Sequence, residues 1–157
     1  GEPTINKDLK EFLRKIKNLG FALKLDTNGS KPEALKDILE EKLLDYLALD
    51  IKAPPEKYLF FTGNTLSAKV ITQSLSLLKD SKIDFECRTT ILPQFNLEDL
   101  VKIARWISPF VSKYFLQNFQ PNKTLDPDFQ KLSPHSFDFL ISAQKEISCF
   151  FNICQVR

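Results

Sequence analysis

Residues able to do chemistry collect at four places in this 157-residue chain: D26-T27-N28-G29, D50-I51-K52, R88-T89-T90 and Q117-N118-F119-Q120-P121. Each follows a short apolar run of strand length. In parallel α/β architectures, ligands bind at the carboxyl ends of the strands, where such residues would meet. Asp26 and Asp50 end successive runs, so their carboxylates are expected to converge. Two close carboxylates repel unless a cation, an ammonium group or a shared proton lies between them. Lys52 stands two residues beyond Asp50, hence on the same side of a strand, and could supply one such charge. A blander reading stays open, because Asn28–Gly29 is a common turn pair and caps or turn formers follow any strand.

Other chemistries find no support. There is no Ser/His/Asp set, no phosphate-cradling glycine loop and no His/Cys metal spacing. The single histidine, His135, reads as a surface residue at a helix start. Cys87, Cys149 and Cys154 are odd in number and fit no cluster-binding run. Cys87 lies in an apolar strand pattern and reads as a buried thiol in a reducing cytoplasm. A net charge of +2 is too balanced to argue for nucleic acid, and the basic stretch at 14–18 reads as a solvated helix face. No apolar run reaches membrane-span length, and no signal peptide is seen.

The elements that must position these residues follow from periodicity. Leu9, Phe12, Leu13, Ile16 and Leu19 are spaced as one helix face, and Gly20 supplies a stop. Helix aromatics such as Phe12, Trp106 and Phe139 are expected in the core. Strands are expected at 21–26, 45–52, 84–93 and 112–121. Ser30 and Glu33, spaced as a capping box around Pro32, predict a helix carrying Leu35, Ile38, Leu39 and Leu43. Further helices are expected over 66–80, from Asn96 and Asp99 to Trp106, and from the Ser133–Pro134 pair to about 150. Residues 53–65, with their prolines and glycine, and 122–132 read as loops, and 152–157 as a possible short strand. Strand–helix alternation with short connections means βαβ units, a parallel sheet and right-handed crossovers. No internal boundary is evident, so residues 1–157 read as a single domain.

Six motifs in order, GEPT (1–4), LDTNG (25–29), DIKAP (50–54), TG (62–63), RTTILP (88–93) and QNFQP (117–121), resemble the radical S-adenosylmethionine enzymes. The likeness is greatest to their activating-enzyme branch, and within it to anaerobic ribonucleoside-triphosphate reductase activating proteins. It implies an α/β fold that is part of a (β/α) barrel. Four parallel strands with outer helices would be followed by a C-terminal helix and a possible terminal strand. GEPT matches the end of the family's GGEP motif, so the resemblance gives Gly1 and Glu2 to the amino group of the cofactor's methionine. It gives Asp50 to the same amino group, Lys52 to the carboxylate and Thr90 to a backbone contact with the adenosyl group. Asp26 and Thr27 match a position that binds a monovalent cation in some activating enzymes.

The family's CxxxCxxC loop has no counterpart here. The chain therefore resembles the C-terminal portion of the barrel, with no iron–sulfur ligands of its own and no catalytic residue, and is expected to be inactive alone. The 4Fe–4S cluster would belong to the complete protein. The resemblance implies a cytoplasmic enzyme that cleaves S-adenosylmethionine reductively. Its partners would be a glycyl-radical enzyme, anaerobic ribonucleotide reductase above all, and an electron donor such as flavodoxin or ferredoxin. A pyruvate formate-lyase type activator, another enzyme of this class and a non-catalytic half-barrel module remain alternatives. Strand 21–26 is expected to form an open sheet edge, through which two chains could pair.

Overall fold

The structure, a computed structural model, describes residues 1–124 and 127–157, Lys123 by its backbone alone. Residues 125–126 of the expected 122–132 loop lie outside the described residues. Five strands form one sheet in sequence order: β1 (Lys24–Thr27), β2 (Tyr46–Asp50), β3 (Asp84–Ile91), β4 (Lys113–Asn118) and β5 (Ile153–Val156). All four pairings are parallel. The helices are α1 (Leu9–Asn18), α2 (Pro32–Glu40), α3 (Tyr58–Phe61), α4 (Ala68–Ser81), α5 (Leu97–Ile107), α6 (Pro127–Gln130) and α7 (Phe137–Ile147). Sequential parallel strands joined by right-handed crossovers place their connecting helices on one face. The other, bare face carries no connecting helix among the described residues, and its own side chains cover Ala48, Glu86 and Phe115, which are buried.

Alternation along the strands makes those two faces chemically opposite. Leu25, Leu47, Leu49, Cys87, Tyr114 and Leu116 join the buried core with Leu35, Ile38, Ile71, Leu75, Ile103 and Ile107 of the helices. Each fully buried leucine or isoleucine there contributes about 2 kcal/mol. The bare face carries Lys24, Asp26, Tyr46, Asp50, Glu86, Arg88 and Lys113. At its base Glu86, only 2% exposed, accepts a hydrogen bond from the Tyr46 hydroxyl at 2.8 Å and pairs with Arg157 at 3.0 Å. The Arg157 guanidinium lies 3.4 Å over the Phe115 ring, so the end of the chain folds across the polar face.

Several boundaries differ from expectation, each for a local reason. The first strand occupies 24–27 rather than 21–26, because Leu23 spends its carbonyl on the amides of Asp45 and Tyr46 instead of a ladder. It is the edge of the sheet, as expected. The Ser30–Glu33 capping box does not form: α2 starts at Pro32, Lys31 takes the cap position without a side-chain bond, and Ser30 donates its amide to Asn28 Oδ1. Ser133–Pro134 do not open α7 either, since Ser136 is the cap and accepts from the Phe139 amide at 3.2 Å. The Asn96–Asp99 capping box does form. Phe12, expected in the core, is 58% exposed, and Leu19 is exposed beside it. The possible terminal strand is β5.

Gly29 adopts φ +71°, and a Cβ there would stand 2.7 Å from Leu49 Cδ1. Its carbonyl accepts from the Ser74 hydroxyl at 2.8 Å. Turn and close packing thus coincide at the end of β1, and only glycine satisfies both.

Candidate functional site

The carboxyl ends of β1, β2 and β3 are tied by one chain of charges. Arg88 on β3 lies in register with Asp50 on β2. Its Nε and Nη2 donate to Asp50 Oδ1 at 3.1 and 2.9 Å, and its Nη1 donates to Asp26 Oδ2 at 3.0 Å. Lys52 Nζ reaches Asp50 Oδ2 at 3.0 Å, and Lys24 Nζ lies 3.3 Å from Asp26 Oδ1. Asp26, Asp50 and Lys52 therefore share the bare face, as the period of two requires. Burial opposes the charged form of Asp26, but Arg88 and then Lys24 outweigh it and hold the carboxyl below its ordinary value. Burial likewise works against the Arg88 cation, and Asp50 and Asp26 more than restore it.

Glu2 behaves differently. Its Oε1 accepts from the Thr4 amide at 3.1 Å and from the Thr4 and Thr27 hydroxyls at 2.6 Å each, and its Oε2 accepts from the Asn28 amide at 2.7 Å. The side chain is thus anchored to the end of β1. Thr27 is buried on the helix-facing side while Asp26 projects from the other. The two side chains expected at a monovalent cation consequently diverge. Gly1 is exposed, and a Cβ there would meet nothing within 4 Å.

Lys52 borders two cavities. One of about 550 Å³ is shared with Glu2, Asn28 and Thr62. The other, of about 770 Å³, is shared with Thr90, Gln117, Asn118, Gln120 and Arg157. Among the described residues, Asn118 Oδ1 is a buried acceptor with no partner, and its residue lines that second cavity. Opposite charges at the rim and an unmatched acceptor suit a zwitterion that carries further hydrogen-bond donors. By contrast, among the described residues no three His, Cys, Asp or Glu side chains could hold a metal ion. The cysteines do not fit an iron–sulfur cluster.

Two site features escaped the sequence reading. Arg88 was visible only as a strand-end residue, since its reach across two strands depends on register. Tyr58, in the loop at 53–65, gave no signal at all. That loop folds into a 3-10 turn (Pro55–Lys57) running into α3, and Thr62 with Gly63 stops it. The Thr62 hydroxyl donates to the Tyr58 carbonyl at 2.7 Å, so the TG pair is a helix stop. Tyr58 is fully buried, edge-on to Trp106 at 5.6 Å, and its hydroxyl accepts the Lys52 amide at 3.1 Å. Burial pushes its phenol pKa upward. Tyr58→Phe should strand that amide and cost about 1–3 kcal/mol in urea unfolding. An unchanged midpoint would mean that the amide finds another partner. His135, expected as a surface residue, instead stacks on Phe139 at 4.1 Å with Nε2 3.1 Å from the Leu92 carbonyl.

A parallel sheet with its helices on one side, a polar bare face and a charged rim at the strand ends defines a partial α/β barrel with its site at the strand termini. The radical SAM superfamily profile matches residues 1–107, and the chain belongs to that superfamily. Two Methanocaldococcus jannaschii proteins, provisionally named glycyl-radical enzyme activating enzymes, are similar. One is 36% identical over 139 residues, covering 84% of this chain and 57% of that protein. The other is 31% identical over 125 residues, covering 76% and 47% respectively. The chain thus spans about half the length of these relatives. In fold it matches a domain of a Bacteroides vulgatus pyruvate-formate lyase-activating enzyme, with TM-score 0.78, 11% identity, and coverage of 100% of this chain and 94% of that one. The superfamily's cofactors are S-adenosylmethionine and a 4Fe–4S cluster; the site here fits the first and not the second.

Proposed function

We propose that this chain is the C-terminal part of a glycyl-radical enzyme activating enzyme serving anaerobic ribonucleoside-triphosphate reductase. The observation that carries this reading is the strand-end rim, where Lys52 stands beside Asp50 between two cavities. S-adenosylmethionine, cleaved reductively in the complete enzyme, supplies the one-electron chemistry that abstracts hydrogen from a partner glycine. Lys52 holds its carboxylate. Asp50 offers its remaining lone pairs to the ammonium, and the backbone at Gly1 and Glu2 closes on the same group. Thr90 and the Asn118 acceptor line the space for the adenosyl moiety. Tyr58, through the Lys52 backbone, sets where that ammonium side chain starts.

The electron would come from a flavodoxin or ferredoxin in the cytoplasm, and the radical would end on the reductase. The test is EPR of partner proteins after anaerobic incubation with the complete enzyme, S-adenosylmethionine and a reductant. A glycyl-radical doublet on the ribonucleotide reductase is expected. A doublet on pyruvate formate-lyase alone would replace this partner with the other, and none on either would leave the chain without the proposed activity.

A further inference from the structure

We propose that Arg88 is the built-in cation of the strand-end cluster, so that the Asp26–Asp50 pair holds no sodium or potassium ion. Two carboxylates on neighbouring strands call for a positive charge between them. Here the guanidinium fills that place from a third strand, contacting Asp50 through two nitrogens and Asp26 through another. Its side chain is only 13% exposed, so it is held rather than waving in solvent.

Every carboxylate oxygen is engaged. Asp50 Oδ1 faces Arg88 and Oδ2 faces Lys52; Asp26 Oδ2 faces Arg88 and Oδ1 faces Lys24. Three cations meet two carboxylates, leaving an excess positive charge that opposes a bare sodium or potassium ion but not a zwitterion, whose carboxylate arrives with its ammonium. The hydroxyl that would complete an oxygen shell, Thr27 Oγ1, is turned to Glu2 on the other side of β1. A planar guanidinium with fixed donors also matches two carboxylates in a way that a spherical ion does not.

The cation balance is already set in the chain before any cofactor binds, so it is read without S-adenosylmethionine. Thermal midpoints of this chain should coincide in sodium, potassium and choline chlorides at equal ionic strength, and ²³Na resonance widths should show no saturable binding. Saturable stabilisation by sodium or potassium over choline would overturn the proposal. Arg88→Gln, which keeps much of the bulk and loses the charge, should acquire such a cation response. A folded Arg88→Gln variant that stays indifferent to the salt would show that Arg88 is not what excludes the ion. If that variant does not fold, the unsubstituted chain alone decides. Loss of cofactor affinity elsewhere in the site would bear on the proposed function and leave this balance untouched.

Discussion

In the complete enzyme, Lys52→Ala is expected to weaken S-adenosylmethionine binding about tenfold or more with little change in thermal stability. On the proposed reading the lysine would make a charge-assisted contact with the cofactor of the kind worth that much. Its side chain is 43% exposed, and among the described residues its one ion pair is with Asp50, so the fold loses little when it goes. Asp50→Asn should also weaken binding about tenfold, but with a lower melting temperature. The reason is that Asp50 also anchors the nearly buried Arg88, which would then face Asp26 alone. Lys24→Ala is the control: it sits on an exposed strand position at the far end of the charge chain, and binding should hold. Calorimetric titration separates the cases. Unchanged affinity in both Lys52→Ala and Asp50→Asn would leave the DIK motif as a structural turn.

Reconstituted anaerobically with iron and sulfide, the isolated chain should show no stoichiometric 4Fe–4S signal by Mössbauer or low-temperature EPR, and should cleave no S-adenosylmethionine. Cys87 and Cys154 both pair with Tyr114, one from each side, so they stand at one level and face the same way. The sheet does not separate them. What separates them is the intervening strand, about 10 Å for two strand spacings, with the buried Tyr114 between. Burial raises both thiol pKa values, that of Cys154 to about 11 and that of Cys87 further, which disfavours the thiolate that iron needs. Cys149 is exposed on the turn after α7. A stoichiometric cluster on this chain would mean that the three cysteines form a site by rearrangement, and the reading of the chain as lacking its own ligands would fall.

Local rules carried much of the architecture because they act over a few residues. Alternating strand and helix patterns sufficed for a parallel sheet. The Asn96–Asp99 box opened α5 as spaced, and the period of two put Asp50 and Lys52 on one side. Tertiary structure decided whatever depended on distant partners. The register between β2 and β3 set Arg88 opposite Asp50, and nothing in either segment encodes that distance. The donors at Thr4, Thr27 and Asn28 turned the Glu2 carboxylate toward the end of β1. Competition between nearby caps moved the start of α7 from Ser133 to Ser136. Helical spacing marked Phe12 as apolar-faced but could not say what that face would meet, and it stands exposed on α1. Sequence determined which residues lie at the strand ends, since alternation and turn chemistry are local. Only the folded sheet decided which of their charges touch, because a long side chain reaches across strands whose alignment is set by the packing of the whole core.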